Sequence, residues 1–333
     1  MNPGRDMPDQ NPLPGWNHTP GVPIQVSPVF RRPWRPKDIF LWFWGRWFWL
    51  SEKLILVGIA FVTVTWFQPS LDVTRTLSAD WVAGLYLRNL ILFSAVAGGL
   101  HLYLYRWRKQ GDRLKFDPRP LAHSAKHFTF RSQVRDNMFW SLASGVTVWT
   151  IYEVILFWAM ANGIAPVLTW QASPIWFLAL FFLVPIWESF YFYWIHRLLH
   201  WPPLYRRVHA LHHRNVNVGP WSGLSMHPVE HLLFLGSGLV HLVVPAAPVH
   251  ILYHMQYFAL TAATTHSGFE GLIVKDKNRL DLGTFHHQMH HRYFECNYGN
   301  LEMPWDTLFG SFHDGTDESH ERFKERRRSL AGR

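Results

Sequence analysis

The sequence predicts an all-α integral membrane protein: a helical bundle of about four transmembrane helices plus a hairpin, with a histidine-rich di-metal site at its cytoplasmic face. Three observations predict this fold class. Hydrophobic residues make up 48% of the 333 positions and charged residues only 17%, below the quarter that is typical of soluble domains. Several apolar runs approach the roughly 20 residues that cross a bilayer. Three groups of closely spaced histidines begin where the last of four such runs ends.

The first 37 residues are expected to form a cytoplasmic arm that is disordered or extended. Nine prolines occur in residues 1–36, and a segment of this composition cannot bury a core of its own. If the arm docks on the rest of the chain, Trp16 and Phe30 are the available anchors. The arm contains no apolar core near its start, so we expect no signal peptide.

The apolar segments that follow the arm predict the membrane helices. The stretch 39–50 is aromatic but interrupted by a glycine and an arginine, which favours an interfacial helix leading into the first span. The expected spans are 53–68, 87–105, 138–161 and 173–195. A fifth apolar region, 231–262, contains Pro245 and Pro248. It predicts a helical hairpin that either crosses the bilayer twice or dips into one leaflet.

The charge distribution predicts the orientation of the spans. The 32 Lys and Arg exceed the 23 Asp and Glu, for a net charge of +9. Basic residues concentrate in 106–137, whereas 69–84 and 162–172 hold one arginine between them. The positive-inside rule then places the arm, the basic segment and everything after the fourth span in the cytoplasm. We expect a single catalytic domain over 38–312 and a basic cytoplasmic tail over 313–333. The tail lacks a dilysine-type retention signal, which favours a bacterial inner membrane.

Eight of the 21 histidines fall into three boxes with helical spacing. The boxes read HxxxH, HxxHH and HxxHH and contain His196 and His200, then His209, His212 and His213, then His287, His290 and His291. Residues at i, i+3 and i+4 share one helix face. Neutral imidazole is a ligand of iron, zinc, copper and nickel, and one zinc takes about four ligands. Eight imidazoles are therefore enough to surround two metal ions.

Three other interpretations of the boxes remain open at this point. A solvated histidine-rich surface would bind metal only adventitiously. A membrane zinc hydrolase would need a general base such as the glutamate of HExxH, and that motif does not occur in the chain. A non-catalytic metal-binding protein would tolerate the loss of one or two box histidines. Metal analysis separates these alternatives, because about two irons per chain favour an oxidase and one zinc favours the others.

The motifs around the boxes resemble those of the membrane fatty acid hydroxylase and sterol desaturase superfamily. The resemblance covers about 178–312 and depends on "YWIHRLLH", "YRRVHALHH", "MHPVEH" and "HHQMHHRYFECNYGNLEMPWDTLFGSF". The last stretch is the most specific. Its Asn-Tyr-Gly turn and its Trp-Asp and Phe-Gly pairs are matched by Asn297, Tyr298, Gly299, Trp305, Asp306, Phe309 and Gly310. The resemblance implies a di-metal monooxygenase or desaturase of lipids, built on a transmembrane bundle with a cytosolic helical cap.

The resemblance also implies roles for individual residues. The eight box histidines match the metal ligands of the family. His266 and His227 are further candidate ligands, with hydrogen-bonded histidines at helix ends as the equal alternative. His286 either reaches a metal or stacks beside the third box. The residues expected to orient the ligand histidines are Glu188, Glu230, Asn297 and Asp306.

A substrate tunnel is a separate expectation. Its candidate lining residues are Tyr191, Tyr193, Gly236 and Gly238. The tyrosines could equally pack in an aromatic core, and the glycines could equally permit close helix packing rather than a side opening.

The resemblance implies two iron ions as cofactors, O2 as co-substrate and electrons from an external donor. The chain has one cysteine, Cys296, and no CxxCH or GxGxxG motif, so we expect the electron-transfer protein or reductase to be a separate chain. The expected function is hydroxylation or desaturation of a sterol, fatty acyl chain or related lipid. An ether-lipid monooxygenase of the alkylglycerol type, from the same superfamily, is the alternative.

Overall fold

The computed structural model describes residues 13–48 and 51–331. These residues are mostly helical, which confirms the predicted all-α class. The α-helices are α1 (Pro36–Trp47), α2 (Glu52–Trp66), α3 (Leu71–Thr74), α4 (Ala79–His101), α5 (Gln133–Trp140), α6 (Val146–Ala161), α7 (Pro174–Leu199), α8 (Pro202–Leu204), α9 (Ala210–His213), α10 (Pro228–Leu235), α11 (Pro248–Thr265), α12 (Phe285–Tyr293), α13 (Trp305–Leu308) and α14 (Asp317–Ala331). Short 3-10 helices lie at Pro28–Phe30, Pro220–Ser222 and Gly236–Leu242, and π-helical turns at Leu102–Arg106, Ser141–Gly145 and Tyr205–His209.

Four helical segments of the described chain are long and apolar enough to cross a membrane, which confirms a multi-pass membrane protein. They are α1 with α2, α4 with the π-turn that follows it, α5 with α6, and α7. The second span begins at Ala79, eight residues before its expected start at 87. Asp80 lies in the first turn of this helix, which is why the run of hydrophobic residues understated the helix. Aromatic rings of α1 stack on Phe182 of α7, and the interfacial position of α1 stays a prediction.

The region 231–262 forms the predicted hairpin, and the hairpin extends along the whole bundle. Its turn contacts the connection between α6 and α7, where the Leu168 amide donates to the Ala246 carbonyl at 2.9 Å. The Trp176 indole likewise donates to the Pro245 carbonyl at 3.0 Å. Trp176 lies in the first turn of α7, and the first histidine box lies in its last turn, about 30 Å away along the helix. The hairpin therefore reaches from the histidine boxes to the opposite end of the spans.

Helix α11, the return arm of the hairpin, forms the centre of the core. Every residue from 249 to 264 is buried, and the helix packs against α2, α4, α6 and α7. A helix that is enclosed on all sides is apolar on all faces, so it shows little amphipathic periodicity. The core therefore surrounds the chain segment that ends at His266.

A buried ion pair lies in the membrane-spanning part of the bundle. Arg88 of α4 and Glu153 of α6 form an ion pair, and their side chains are only 7% and 0% exposed. Asn89 and the Trp149 indole donate further hydrogen bonds to Glu153, at 2.9 and 2.8 Å. Arg88 also donates to Gln68, at 2.8 Å. Charges inside an apolar bundle are retained only when they are paired in this way, and the helix pattern did not predict the pair.

A two-stranded antiparallel sheet of β1 (Gly271–Val274) and β2 (Lys277–Asp281) follows α11. We expected no strand in the chain. The two residues of its loop, Lys275 and Asp276, both have positive φ, at 51° and 57°. This is the twist of a type I′ turn, whose usual signal is Asn-Gly or Asp-Gly. Because the loop here is Lys-Asp, the sequence carried no turn signal.

The described part of the arm, from residue 13 onward, docks on the rest of the chain through Trp16, one of the two anchors named from the sequence. Trp16 is 6% exposed, packs edge-on against Phe285 of α12 at 4.8 Å and lies under the guanidinium of Arg292. The Asn17 amide donates to two backbone carbonyls of the basic segment. Phe30, the other suggested anchor, is 43% exposed. Burial of one large aromatic side chain helps to offset the entropy of ordering the arm; residues 1–12 lie outside the described part of the chain.

The orientation of the bundle can be tested by cysteine-accessibility labelling. With Cys296 replaced, single cysteines in 115–130 and 315–330 are expected to react from the cytoplasmic side and those in 163–171 from the opposite side. The physical reason is the concentration of Lys and Arg in the first two segments. Labelling of 163–171 from the cytoplasm would contradict the four-span orientation.

Candidate metal centre

The three histidine boxes meet at one end of the bundle. The first box lies in the last turn of α7, and the second spans the π-turn Tyr205–His209 and α9. The third box lies on α12. A fourth contribution comes from His266, which caps the C-terminus of α11. All eight box histidines and His266 are at most 8% exposed.

The nine histidines divide into two clusters. The first cluster brings five ligand atoms within 4.8 Å of one another and consists of His196, His200, His209, His213 and His290. The second cluster consists of His212, His266 and His291, joined by His287, whose Nε2 lies 3.0 Å from Nε2 of His266. The clusters adjoin, because the rings of His213 and His291 stack at 4.8 Å. Both HxxHH boxes contribute to both clusters, which the spacing alone does not reveal.

Hydrogen bonds at Nδ1 orient three of the five rings of the first cluster. Nδ1 of His196 donates to the Tyr298 carbonyl, and Nδ1 of His290 donates to the Cys296 carbonyl, both at 2.6 Å. His209 donates to the Glu230 carboxylate at 2.7 Å. A carbonyl oxygen can only accept, so the proton of a neutral ring is held at Nδ1 and Nε2 is left with a lone pair. This is the arrangement in which acceptor groups fix the tautomer of a metal-binding histidine.

The second cluster follows the same pattern. Nδ1 of His266 donates to the Ala262 carbonyl at 2.9 Å, and Nδ1 of His212 donates to the Ser225 carbonyl at 3.3 Å. Their Nε2 atoms, each with a lone pair, lie 3.3 Å apart. Nε2 of His291 lies 3.1 Å from Nε2 of His266. Several lone pairs thus converge on one point in the protein interior.

Convergent lone pairs in both clusters fit a metal ion. The Nε2 atoms of His213 and His290 are 3.0 Å apart, and those of His200 and His213 are 3.1 Å apart. Two ligand nitrogens about 2.1 Å from a shared metal are about 3.0 to 3.4 Å from each other, depending on the angle between them. Nε2 of His209 is buried and has no hydrogen-bond partner in the described chain. Since His212 and His266 each hold the ring proton at Nδ1, without a cation the contact between their Nε2 atoms would set two lone pairs against each other.

The protonation state of the clusters also suits metal binding. Burial lowers the pKa of these histidines well below the ordinary value, and neighbouring imidazoles lower it further, at His200, His209, His212, His213, His287, His290 and His291. Burial lowers the pKa of His266 to about 3. The rings are therefore neutral near pH 7, which is the form that coordinates metals.

The Asn-Tyr-Gly turn holds the third box and the first box together. Asp306 accepts hydrogen bonds from the amides of Tyr298 and Gly299, both at 2.8 Å, and from Ser311 at 2.7 Å. Burial alone would raise the pKa of Asp306, but the contact with His286 and these hydrogen bonds lower it. The carboxylate therefore fixes the turn whose Tyr298 carbonyl orients His196.

Asn297 connects the same turn to the chain that follows it. Its backbone φ is 58°, a left-handed conformation that asparagine tolerates. The side-chain amide donates to the carbonyls of His286 and His313, at 3.1 Å each, and its oxygen accepts from the His313 amide at 2.7 Å. Asn297 and Asp306 thus act on the backbone around the third box and touch no ligand nitrogen themselves.

Three residues named from the sequence lie outside both clusters. His227 is partly exposed and caps α10, where its Nδ1 accepts from the Val229 amide at 3.2 Å. Nε2 of His286 lies 3.4 Å from Asp306, and the ring stacks near Phe312. Glu188 forms no hydrogen bond with a histidine in the described part of the chain. Glu230 instead of Glu188 supplies the carboxylate that contacts a cluster histidine.

The residues expected to line a tunnel are packed in the structure. Tyr193 is 0% exposed and accepts a hydrogen bond from Arg197 at 2.6 Å. The Tyr191 hydroxyl donates to the Leu233 carbonyl at 2.7 Å. A Cβ added at Gly236 would meet the Tyr191 hydroxyl at 3.0 Å, and one at Gly238 would meet the Met255 sulfur at 2.5 Å. The glycines therefore allow close helix packing here, and the substrate tunnel stays a prediction.

His266 was the least certain of the cluster histidines in the sequence. It is a single histidine in "TTHSG" and is not part of a box. A signal was nevertheless present. The polar residues Thr264, Thr265 and Ser267 follow an apolar segment, which indicates that His266 lies at the end of a helix. Only the packing of α11 between the spans shows that this end meets α9 and α12.

Glu230 offers a test of how the acceptors at Nδ1 support metal binding. Glu230→Gln is expected to weaken metal binding at the first cluster by about 10- to 100-fold, because the ring of His209 exchanges its carboxyl acceptor for a carboxamide. Metal affinity would be measured by competition with a chelator of known affinity. Glu318→Gln, an exposed acid on α14, is the matched control and should leave affinity unchanged. Equal affinity in Glu230→Gln and the parent protein would contradict the role of this carboxylate.

Comparison with known proteins identifies the segment that carries the clusters. Residues 181–311 match the family model described as fatty acid hydroxylase. This segment is a fatty acid hydroxylase domain. It contains all nine cluster histidines, together with Glu230 and Asp306, and it belongs to the superfamily that the sequence motifs resemble.

The relatives of the fatty acid hydroxylase domain include sterol desaturases. The Delta(7)-sterol 5(6)-desaturase of Saccharomyces cerevisiae is 34% identical over 120 residues, which are 36% of this chain and 32% of that protein. The enzyme of Eremothecium gossypii is 31% identical over 140 residues, 42% of this chain and 38% of its own length. The Delta(7)-sterol-C5(6)-desaturase of Nicotiana tabacum is 31% identical over 137 residues, which are 39% of this chain and 48% of that protein. The chain thus matches a third to a half of the length of these relatives. No solved structure matches the chain.

Proposed function

We propose that the protein is a membrane-bound, non-haem di-iron oxidase that uses O2 to hydroxylate or desaturate a lipid. The observation that carries the proposal is the convergence of nine buried imidazoles into two adjoining clusters within a fatty acid hydroxylase domain. The similarity to sterol desaturases supports a lipid substrate. The first cluster would hold one iron and the second cluster the other.

Bound iron supplies the redox chemistry between O2 and a C–H bond, and the chain supplies ligands, orientation and exclusion of water. The neutral rings would donate their Nε2 lone pairs, and acceptors at Nδ1 hold five of the nine rings in place: His196, His209, His212, His266 and His290. Because all nine histidines are nearly inaccessible to solvent, water competes poorly with a lipid at the site. The end of the bundle that carries the clusters, on the cytoplasmic side by the charge rule, meets the lipid at the headgroup level.

The overall reaction requires an electron donor. Hydroxylation converts R–H, O2, two electrons and two protons into R–OH and water, and desaturation with the same inputs yields an alkene and two waters. A single cysteine cannot supply the thiolate ligands of an iron–sulfur cluster. We therefore propose that a separate electron-transfer protein or reductase docks on the cytoplasmic face.

Two measurements, one on the purified protein and one on whole cells, test the proposed function. Metal analysis of the purified full chain is expected to give about two irons per chain. Lipid profiles of cells with and without the gene are expected to differ by one oxygen atom or by two hydrogen atoms in a single lipid class. One zinc per chain together with unchanged lipid profiles would contradict an oxidase and favour a hydrolase or a non-catalytic metal-binding protein.

A further inference from the structure

The described part of the N-terminal arm lies against α12, the helix that carries the third histidine box. A small apolar core joins the two, apart from the larger core around α11. Its buried members are Trp16, Ile24, Phe116, Phe285 and Met289. Two of these residues, Phe285 and Met289, belong to α12, so the helix is buried between the arm and the metal centre.

Helix α12 has two faces with different partners. Phe285, Met289 and Arg292 are spaced i, i+4 and i+7, so they share one face of the helix. The three histidines of the third box lie on the opposite face, where they enter the two clusters. The arm thus packs on the face of α12 that is turned away from the metal centre.

Arg292 attaches the end of α12 to the arm. Its guanidinium lies 4.1 Å above the Trp16 ring and donates to the Gly15 carbonyl at 3.0 Å. Gly15 has φ 78°, and a Cβ there would meet a guanidinium nitrogen of Arg292 at 3.0 Å, so glycine permits this approach. Arg292 directly follows His291, and Trp16 also contacts Phe285. The arm therefore holds α12 on both sides of its ligands.

A second contact links the arm to the segment that follows His266. Nε2 of His18 lies 2.6 Å from a carboxylate oxygen of Glu270, and Glu270 is four residues beyond His266. The Glu270 carbonyl accepts from the Leu282 amide at 2.9 Å, three residues before α12 begins. The arm thus bridges the two segments that bring His266 and the third box to the metal centre.

The second cluster depends on these two segments more than the first cluster does. His266, His287 and His291 all come from segments that the arm contacts, and His212 comes from α9. In the first cluster His290 alone lies on α12. A displacement of α12 from the end of α11 would therefore separate the ligands of the second cluster, whereas four ligands of the first cluster would stay together.

We propose that residues 13–24 form a strap that positions the ligands of the second metal site, with Trp16 as its main positioning residue. Metal ligands keep their geometry only when the elements that carry them are held by packing. The strap lies outside the segment 181–311 that matches the family model, so it is a support that this chain adds from before its fatty acid hydroxylase domain. The strap rests on the proposed function only in that both clusters bind metal.

The rate at which the purified full chain releases its metal to an excess of chelator tests the strap independently of turnover. Trp16→Ala removes the ring between Phe285 and Arg292. We expect it to release one metal at least about tenfold faster than the parent protein and the other at the parent rate. Trp16→Phe keeps an aromatic ring and should stay within about threefold of the parent. Phe30→Ala, which removes an arm aromatic that is 43% exposed, is the matched control and should release both metals at the parent rate.

The His266→Ala background assigns the effect to one cluster. That variant is expected to keep only the metal of the first cluster, so adding Trp16→Ala should leave the release of this metal unchanged. Faster release there would mean that Trp16 stabilises the whole metal-binding end of the bundle, which would contradict a strap for the second site.

If Trp16→Ala does not fold, His18→Ala decides, because it removes the contact with Glu270 without opening a cavity in the small core. It should accelerate release of the same metal by about threefold, the effect of one hydrogen bond. Release of both metals at the parent rate would overturn the strap and leave the proposed function standing. Selective release of one metal from a protein that oxidises no lipid would do the reverse. A chain that binds no metal would overturn both.

Discussion

His266→Ala is expected to empty the second metal site and to reduce lipid oxidation by more than about 100-fold. The expected metal content falls from about two ions per chain to about one, because Nε2 of His266 lies within 3.3 Å of Nε2 of His212, His287 and His291. Loss of an outer partner of a ligand costs about 10- to 100-fold in affinity or activity, and loss of a ligand itself should cost more. Metal analysis and turnover are measured on the same sample.

The matched control for this substitution is His227→Ala. His227 caps α10 from outside both clusters, so its removal should lower stability slightly and leave both metal ions in place. The bundle should still insert in His266→Ala, since its apolar spans do not depend on metal. Retention of two metals and full turnover in His266→Ala would contradict the assignment of the second cluster. The same two readouts apply to alanine substitutions of the eight box histidines.

Glu153→Gln is expected to lower the free energy of unfolding by about 3–5 kcal/mol, because it leaves the guanidinium of Arg88 buried without its counter-charge. Replacement of both partners, Arg88→Leu with Glu153→Leu, should destabilise less than Glu153→Gln alone, since neither charge then remains in the bundle. Unfolding in mixed micelles with increasing denaturing detergent measures these differences. Iron per folded chain should not change, because the pair joins α4 to α6 and contacts none of the nine histidines.

An exposed ion pair provides the control for the buried one. Arg75 and Asp72 lie 4.0 Å apart with side chains 64% and 95% exposed, and such pairs contribute at most about 1 kcal/mol. Asp72→Asn should therefore leave unfolding almost unchanged. If Glu153→Gln proved as mild as Asp72→Asn, the buried pair would not contribute to the stability of the spans.

The spans and the histidine boxes were predictable because each is specified by residues that are close together in the sequence. A run of about 20 apolar residues must lie in the bilayer, and imidazoles spaced i, i+3 and i+4 must share a helix face. The start of α4 was placed late because Asp80 in its first turn interrupts the apolar run. The ion pair of Arg88 was not predicted because its partner Glu153 lies 65 residues away. The β-hairpin after α11 was missed because its turn has Lys275 and Asp276 in place of the usual glycine.

The sequence by itself determined the membrane-spanning helices, the eight box histidines and the superfamily of the segment that holds them. What only the tertiary structure decided is the division of those histidines between two clusters, the inclusion of His266 and the exclusion of His227. Ligand sets assemble from residues far apart in the chain, and the packing of α11 at the centre of the bundle is what carries His266 to α9 and α12.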